Sequence, residues 1–270
     1  MESTARLALG GVMLALFLAE CLWAWRARRH AYEVREVLCN VAIAFVNGLI
    51  KPLTLAWSLF LLNLVQPWRV VDLPTSGAVF LLTFLVTDFA YYWFHRLSHR
   101  WRPLWAIHQV HHSSPWMNLS TAIRLPWLGK AVTPLYFVPL ALLGLPAPFI
   151  ALSLGIGLLY QFPLHTQAIP KLGAFEGKLL NTPSAHRVHH GANAQYVDRN
   201  YAGFFILWDV LFGTYQAERE PVHYGVTTGF VSHNPLRVQW QPLVNYWRER
   251  RAPIASVDDG VRKVDGVAHV

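Results

Sequence analysis

The chain is 270 residues long, 54% hydrophobic and 14% charged, with a mean hydropathy of +0.28, a balance too apolar for an ordinary soluble domain of that length. Its formal net charge is +8, but the arginines flank apolar runs and the aromatic residues lie within them, so a nucleic-acid surface is excluded and orientation in a bilayer accounts for the basicity. Two cysteines, Cys21 and Cys39, sit at apolar runs with no CxxC pair, which excludes zinc-finger and disulfide frameworks and leaves two packing thiols.

An all-α, multi-pass transmembrane bundle of about four or five membrane segments is therefore expected, as one domain over residues 1–270. Residues 7–25 are long and apolar enough to span, and Arg26, Arg28 and Arg29 follow in place of a small-residue cleavage site, which reads as a retained anchor with its arginines cytoplasmic. Residues 38–63 return outward, with Pro52 as a kink point. Lys51 beside it reads as structural, snorkelling or facing protein, because a basic group at the bilayer centre costs roughly 3 kcal/mol.

A polar loop over 66–76 leads into 77–94, which runs back inward and ends in His95-Arg96-Leu97-Ser98-His99-Arg100. Residues 131–144 and 148–161 are two further apolar segments, the first short for a crossing, forming either a tilted pair or a re-entrant hairpin. Both arrangements return the chain to the face it left, so all histidine groups are expected on the cytoplasmic side. Gly155 and Gly157 are expected to serve close helix packing. Asn118-Leu119-Ser120 fits a glycosylation sequon but reads as a cytoplasmic loop. Residues 240–251 are expected along the membrane interface and 255–270 to be disordered.

The histidines carry the chemistry. His95 and His99 are four apart, one helical turn, with Cβ atoms about 6 Å apart, and can share a metal. In His108-Gln109-Val110-His111-His112 the i, i+3, i+4 spacing puts three rings on one broad face, yet His111 and His112 diverge by about 100°, so one triplet can serve two metals. His186-Arg187-Val188-His189-His190 repeats the device, and His165 follows an apolar run as a ninth candidate ligand. His30, His223, His233 and His269 stand alone and read as surface or structural. Asp88, seven residues before His95, is an acid within an apolar span and a candidate to orient a ligand histidine. Asp198 and Asp209 are candidates for similar parts. Soluble diiron carboxylate proteins use Glu and Glu-x-x-His motifs, which are missing here, and a zinc hydrolase needs about three ligands. A histidine-rich two-iron centre that binds O2, fed with lipid from the bilayer, fits the ligand count.

With these residues assembled, the chain resembles the fatty acid hydroxylase and sterol desaturase superfamily of membrane diiron oxygenases, whose pattern is HxxxH, HxxHH and HxxHH in this order, over residues 81–220. Ser113-Ser114, Asn118 to Thr121 with Arg124, Asn181-Thr182-Pro183-Ser184, Trp208-Asp209 and Phe212-Gly213-Thr214 are similar to its alkylglycerol monooxygenase branch. Two positions depart: Ala185 stands where that branch often has a further histidine, and Gln161 where hydroxylases often place one. The resemblance implies a cytoplasmic diiron cap, with His95, His99, His108, His111, His112, His186, His189 and His190 as catalytic ligands, O2 as co-substrate and hydroxylation of a lipid C–H bond. The lipid would be of alkylglycerol, sterol or fatty-acyl type. It also implies an external reductant, a tetrahydropterin or an electron-donor protein of cytochrome b5 or ferredoxin type. A bacterial inner membrane is favoured over the endoplasmic reticulum. Desaturation on the same centre, a non-catalytic histidine-rich metal carrier and a zinc hydrolase are the competing readings; ligands gathered at helix ends, not along a mid-membrane path, disfavour carriage.

Overall fold

The computed structural model describes residues 2–251, so the expected disorder of 255–270 and the position of His269 lie outside the described residues. Helix α1 spans Glu2–Arg26 and α2 spans Val34–Val65, with the Glu33 carboxylate capping α2 by accepting from Glu36 N at 2.6 Å. At 32 residues α2 is about 48 Å long, more than a hydrocarbon core of roughly 30 Å requires. It continues through Pro52 as a single helix.

Helix α3, Gly77–Arg100, is capped by Ser76, whose hydroxyl accepts from Val79 N, and α4, Arg102–His112, follows after a single extended residue, Trp101. Helices α5, Gly129–Leu142, and α6, Ala147–Gln161, follow one another across a short turn. That turn depends on Gly144, which has φ +101° and lies so close to Val71 O that a Cβ would fall 2.0 Å from that oxygen. Short helices α7, Pro183–His189, and α8, Leu207–Leu211, and the longer α9, Pro235–Arg251, complete the chain. Among the described residues there is no strand, only isolated bridges at Leu180–Phe205 and Gly191–Tyr224.

Three stretches, Val34–Trp68, Gly77–Arg100 and Ala147–Leu164, are long and apolar enough to cross a membrane. Leu49, Leu53, Phe60, Leu81, Leu85 and Leu152 stand exposed along them, as expected of side chains that face lipid. Behind that surface, Leu62, Phe137, Leu140, Ala141, Leu145 and Ile150 form a core against which Val86, Ala90 and Tyr91 of α3 pack. A second core, Cys39, Ile43, Val110 and Val238, joins α2, α4 and α9. Gly155 and Gly157 do not serve close packing: a Cβ at either would meet nothing within 4 Å, because α6 turns that side to open space.

Candidate metal centre

The histidines converge where α3, α4, α7 and the turn after α6 meet. His95, His99, His108, His112 and His189 bring five ring nitrogens within 4.8 Å of one another, and His111, His165, His186 and His190 bring four within the same limit. Each triplet is divided as its helical geometry requires. His108 and His112, one turn apart, stay together, and so do His186 and His190, while the third member of each triplet joins the other group. The two groups adjoin, the His112 and His190 rings stacking with centroids 4.4 Å apart.

The spacing suits ions. His95 Nε2 lies 3.0 Å from His108 Nε2, which lies 3.2 Å from His112 Nε2; in the second group His165 Nε2 is 3.1 Å from His111 Nε2 and 3.0 Å from His186 Nε2. Two imidazole nitrogens at right angles on one ion, each about 2.1 Å from it, would be roughly 3 Å apart. The Nε2 atoms of His99, His189 and His190 and Nδ1 of His186 are buried without a hydrogen-bond partner. Such atoms cost about 1–3 kcal/mol each unless something takes the lone pair, so the donor set fits bound metal.

Backbone carbonyls set the tautomers. A carbonyl only accepts, so Nδ1–H donates from His95 to Tyr201 O at 2.7 Å, from His111 to Arg124 O at 3.2 Å, from His165 to Gln161 O at 2.9 Å and from His189 to Arg199 O at 3.1 Å. Each of these rings therefore presents a bare Nε2 inward. Burial keeps the imidazoles beyond the membrane spans neutral, with His111 lowered to about 4 and His165 to about 3. In His108, His112, His186, His189 and His190 burial, then the neighbouring histidines, holds the ring well below its ordinary range. Neutral imidazole is the form that binds metal.

The three aspartates act at different distances from the rings. Asp88 accepts from Phe204 N at 2.9 Å, Phe205 N at 3.1 Å and Trp208 Nε1 at 2.9 Å, and touches no histidine. Asp209 accepts from Tyr201 N and Ala202 N, both at 2.8 Å, and from the Thr214 hydroxyl at 2.6 Å. Between them they clamp residues 201–205, whose Tyr201 carbonyl holds His95. Asp198 lies beside a ring, its Oδ1 3.8 Å from His99 Nδ1, and also pairs with Arg100 at 3.3 Å.

Two further supports, Arg124, which the sequence marks only through the family resemblance, and Glu20, which it does not single out, are buried polar groups. Arg124 is fully buried and donates to Glu36 and Asn40 of α2, both at 2.9 Å, and to Val110 O and Ser113 Oγ, both at 3.0 Å. Glu20 of α1 is also buried, accepting from Leu119 N at 2.8 Å and from the Tyr32 and Thr166 hydroxyls. The signal available was the same as for Asp88, a polar residue within an apolar run. His233 pairs with Glu36 at 3.1 Å, outside the cluster, and His30 and His223 are exposed.

A cavity of about 410 Å³ opens onto the histidines. His95, His108, His111, His165 and His186 line one part, Tyr91 and Gln161 join in its wall, and Met13 of α1, Lys51 of α2 and Leu158 and Leu159 of α6 also line it. Tyr91 Oη donates to Gln161 Oε1 at 3.0 Å, tying α3 to α6 beside the rings.

No solved structure matches the chain. Curated sequences do: alkylglycerol monooxygenase of Homo sapiens is 39% identical over 239 residues, covering 87% of this chain and 53% of that protein. Alkylglycerol monooxygenase of Danio rerio is 48% identical over 158 residues, covering 58% and 35%, and ornithine lipid hydroxylase of Rhizobium tropici is 30% identical over 169 residues, covering 60% and 50%. The chain thus spans about half the length, or less, of these relatives. The fatty acid hydroxylase family model matches residues 80–214, a segment that contains every histidine of both groups and the aspartates and Arg124 that support them. The chain belongs to the fatty acid hydroxylase family.

Proposed function

We propose that this chain is an integral-membrane, O2-dependent diiron monooxygenase that hydroxylates a C–H bond of a lipid of alkylglycerol, sterol or fatty-acyl type. The observation that carries the reading is two adjoining groups of neutral histidines facing one apolar cavity. All nine histidines serve as ligands, five to one ion and four to the other, with Asp88, Asp198 and Asp209 as outer supports. Iron held there would supply O2 activation and oxygen transfer to carbon.

The protein contributes positioning and dryness. Carbonyl-fixed Nδ1–H groups keep Nε2 aimed at the ions, and the cavity wall of Ile123, Leu125, Pro126, Leu158 and Phe162 holds an alkyl chain and excludes water. The catalytic region covers residues 81–220 of a single domain. Helix α1 and the α5–α6 hairpin bring the membrane segments to four or five, and the arginines at 26, 28, 96, 100 and 102 favour a cytoplasmic site, in a bacterial inner membrane. Exposed Leu236, Trp240, Val244 and Trp247 on α9 suit a helix lying on the interface. Electrons come from a tetrahydropterin or from a cytochrome b5 or ferredoxin-type donor.

The test is to purify the protein in detergent, measure metal by mass spectrometry, and follow 18O2 into lipid supplied with a chemical reductant. Two irons per chain and 18O in a lipid alcohol, or in the aldehyde derived from it, are expected; in His189→Ala bound iron should fall towards one per chain and the 18O product should be lost. One zinc with no O2 uptake defeats the proposal, and an unsaturated product without 18O reassigns the reaction to desaturation.

A further inference from the structure

Lys51 lines the cavity from within the membrane-spanning part of α2. Helix α5 begins alongside it: Asn47 Nδ2, one turn before Lys51, donates to Leu125 O at 3.1 Å, and Trp57 Nε1 donates to Ala131 O at 3.0 Å. Lys130 lies in sequence between these two fastenings, half-buried, at the start of the helix they hold against α2. Among the described residues no carboxylate pairs with either lysine, whereas Arg124, Arg187 and Arg102 each have one. Lys51 is exposed where it borders the cavity, and a basic group within a membrane-spanning helix that borders a cavity marks a ligand site.

The depth suits a headgroup. With Val65, at the far end of α2, taken as one boundary of a hydrocarbon slab of roughly 30 Å, Lys51, 14 residues and about 21 Å along the axis from it, lies on the order of 9 Å inside the boundary nearer the histidines. A lysine side chain reaches much of that distance by snorkelling. The histidines are also near. Leu125, held by Asn47 one turn before Lys51, adjoins Arg124, whose carbonyl holds His111.

We propose that Lys51 and Lys130 form an anion-recognition element at the membrane side of this cavity, selecting lipids that carry a phosphate or carboxylate close to the carbon presented to the histidines. The proposal rests on the cavity being the lipid site, and it adds the charge of the headgroup. Neutral lipids would fill the apolar wall and leave both ammonium groups uncompensated.

Equilibrium binding to the metal-loaded protein in nonionic detergent tests it, with three probes: 1-O-hexadecylglycerol 3-phosphate, hexadecanoate and uncharged 1-O-hexadecylglycerol. The wild type is expected to bind at least one anionic probe about tenfold or more tightly than the neutral one, and the phosphate-to-carboxylate ratio identifies which anion is read. The preference should vanish in Lys51→Met and in Lys51→Met/Lys130→Met with the neutral probe held within about twofold, and survive in Lys51→Arg. Equal affinity of the wild type for charged and neutral probes overturns the proposal, as does a preference that persists in the double variant. A wild type that binds none of the three instead overturns the reading of the cavity as the lipid site, and the anion element with it.

Discussion

The Arg124–Glu36 pair gives the sharpest test of how the membrane helices hold the metal centre. Arg124 has no exposed surface and Glu36 almost none, their atoms are 2.9 Å apart, and the Arg124 backbone carbonyl fixes His111. Arg124→Gln removes a charge that neutralises a buried carboxylate and empties bonds to Asn40, Val110 and Ser113. Removing one partner of a buried pair costs about 3–5 kcal/mol, much of it the stranded charge. His233 Nδ1, 3.1 Å from Glu36 Oε2, leaves that carboxylate one polar contact, which sets the expectation at the lower end, near 3 kcal/mol. Glu36→Gln alone strands Arg124 in the same way, whereas the double variant strands neither, so the double should lose clearly less than the sum of the singles. The assay is thermal unfolding of all four proteins in one detergent, with metal content measured alongside. Because the loop carrying Arg124 O orients His111, metal affinity in Arg124→Gln should also fall about 10–100-fold. Additive losses in the double variant, or a single-variant cost under about 1 kcal/mol, would refute the reasoning.

Three further outcomes are expected. Asp209→Asn sets an amide NH2 against one of the Tyr201 and Ala202 N–H groups, leaving a buried donor unpaired at about 1–3 kcal/mol and releasing the Tyr201 carbonyl from His95; metal analysis should show weaker retention, and full metal content after dialysis against a chelator would contradict it. His112→Ala and His190→Ala each delete a ligand from a different group, so each is expected to lower bound iron from about two per chain towards one; loss confined to one variant would sink the two-ion partition. Gly203→Ala places a Cβ 2.8 Å from the Tyr91 ring and 3.1 Å from Gln161 Nε2, both in the cavity wall, and should raise KM for long-chain lipid with metal content unchanged. An unchanged KM would mean that the ring has room to move aside.

Sequence alone determined the parts that a single segment encodes. Apolar length marked three stretches long enough to cross a membrane, and the i, i+3, i+4 spacing of histidines on α4, repeated from α7 into its cap, allowed each triplet to face two ways, because about 100° per residue turns His111 away from His112 and His189 away from His190. Only the tertiary structure decided which histidines meet. His189 joins His95 across 93 intervening residues and His165 joins His111 across 53, and such pairings depend on how helices pack, not on local periodicity. Carbonyls at Tyr201, Arg124, Gln161 and Arg199 carry no side-chain signature at all, since any residue offers the same oxygen. Lys51 reads in sequence as a charge to be tolerated; the cavity it borders, on which the proposed anion recognition depends, exists only in the folded chain, where α5 lies against α2.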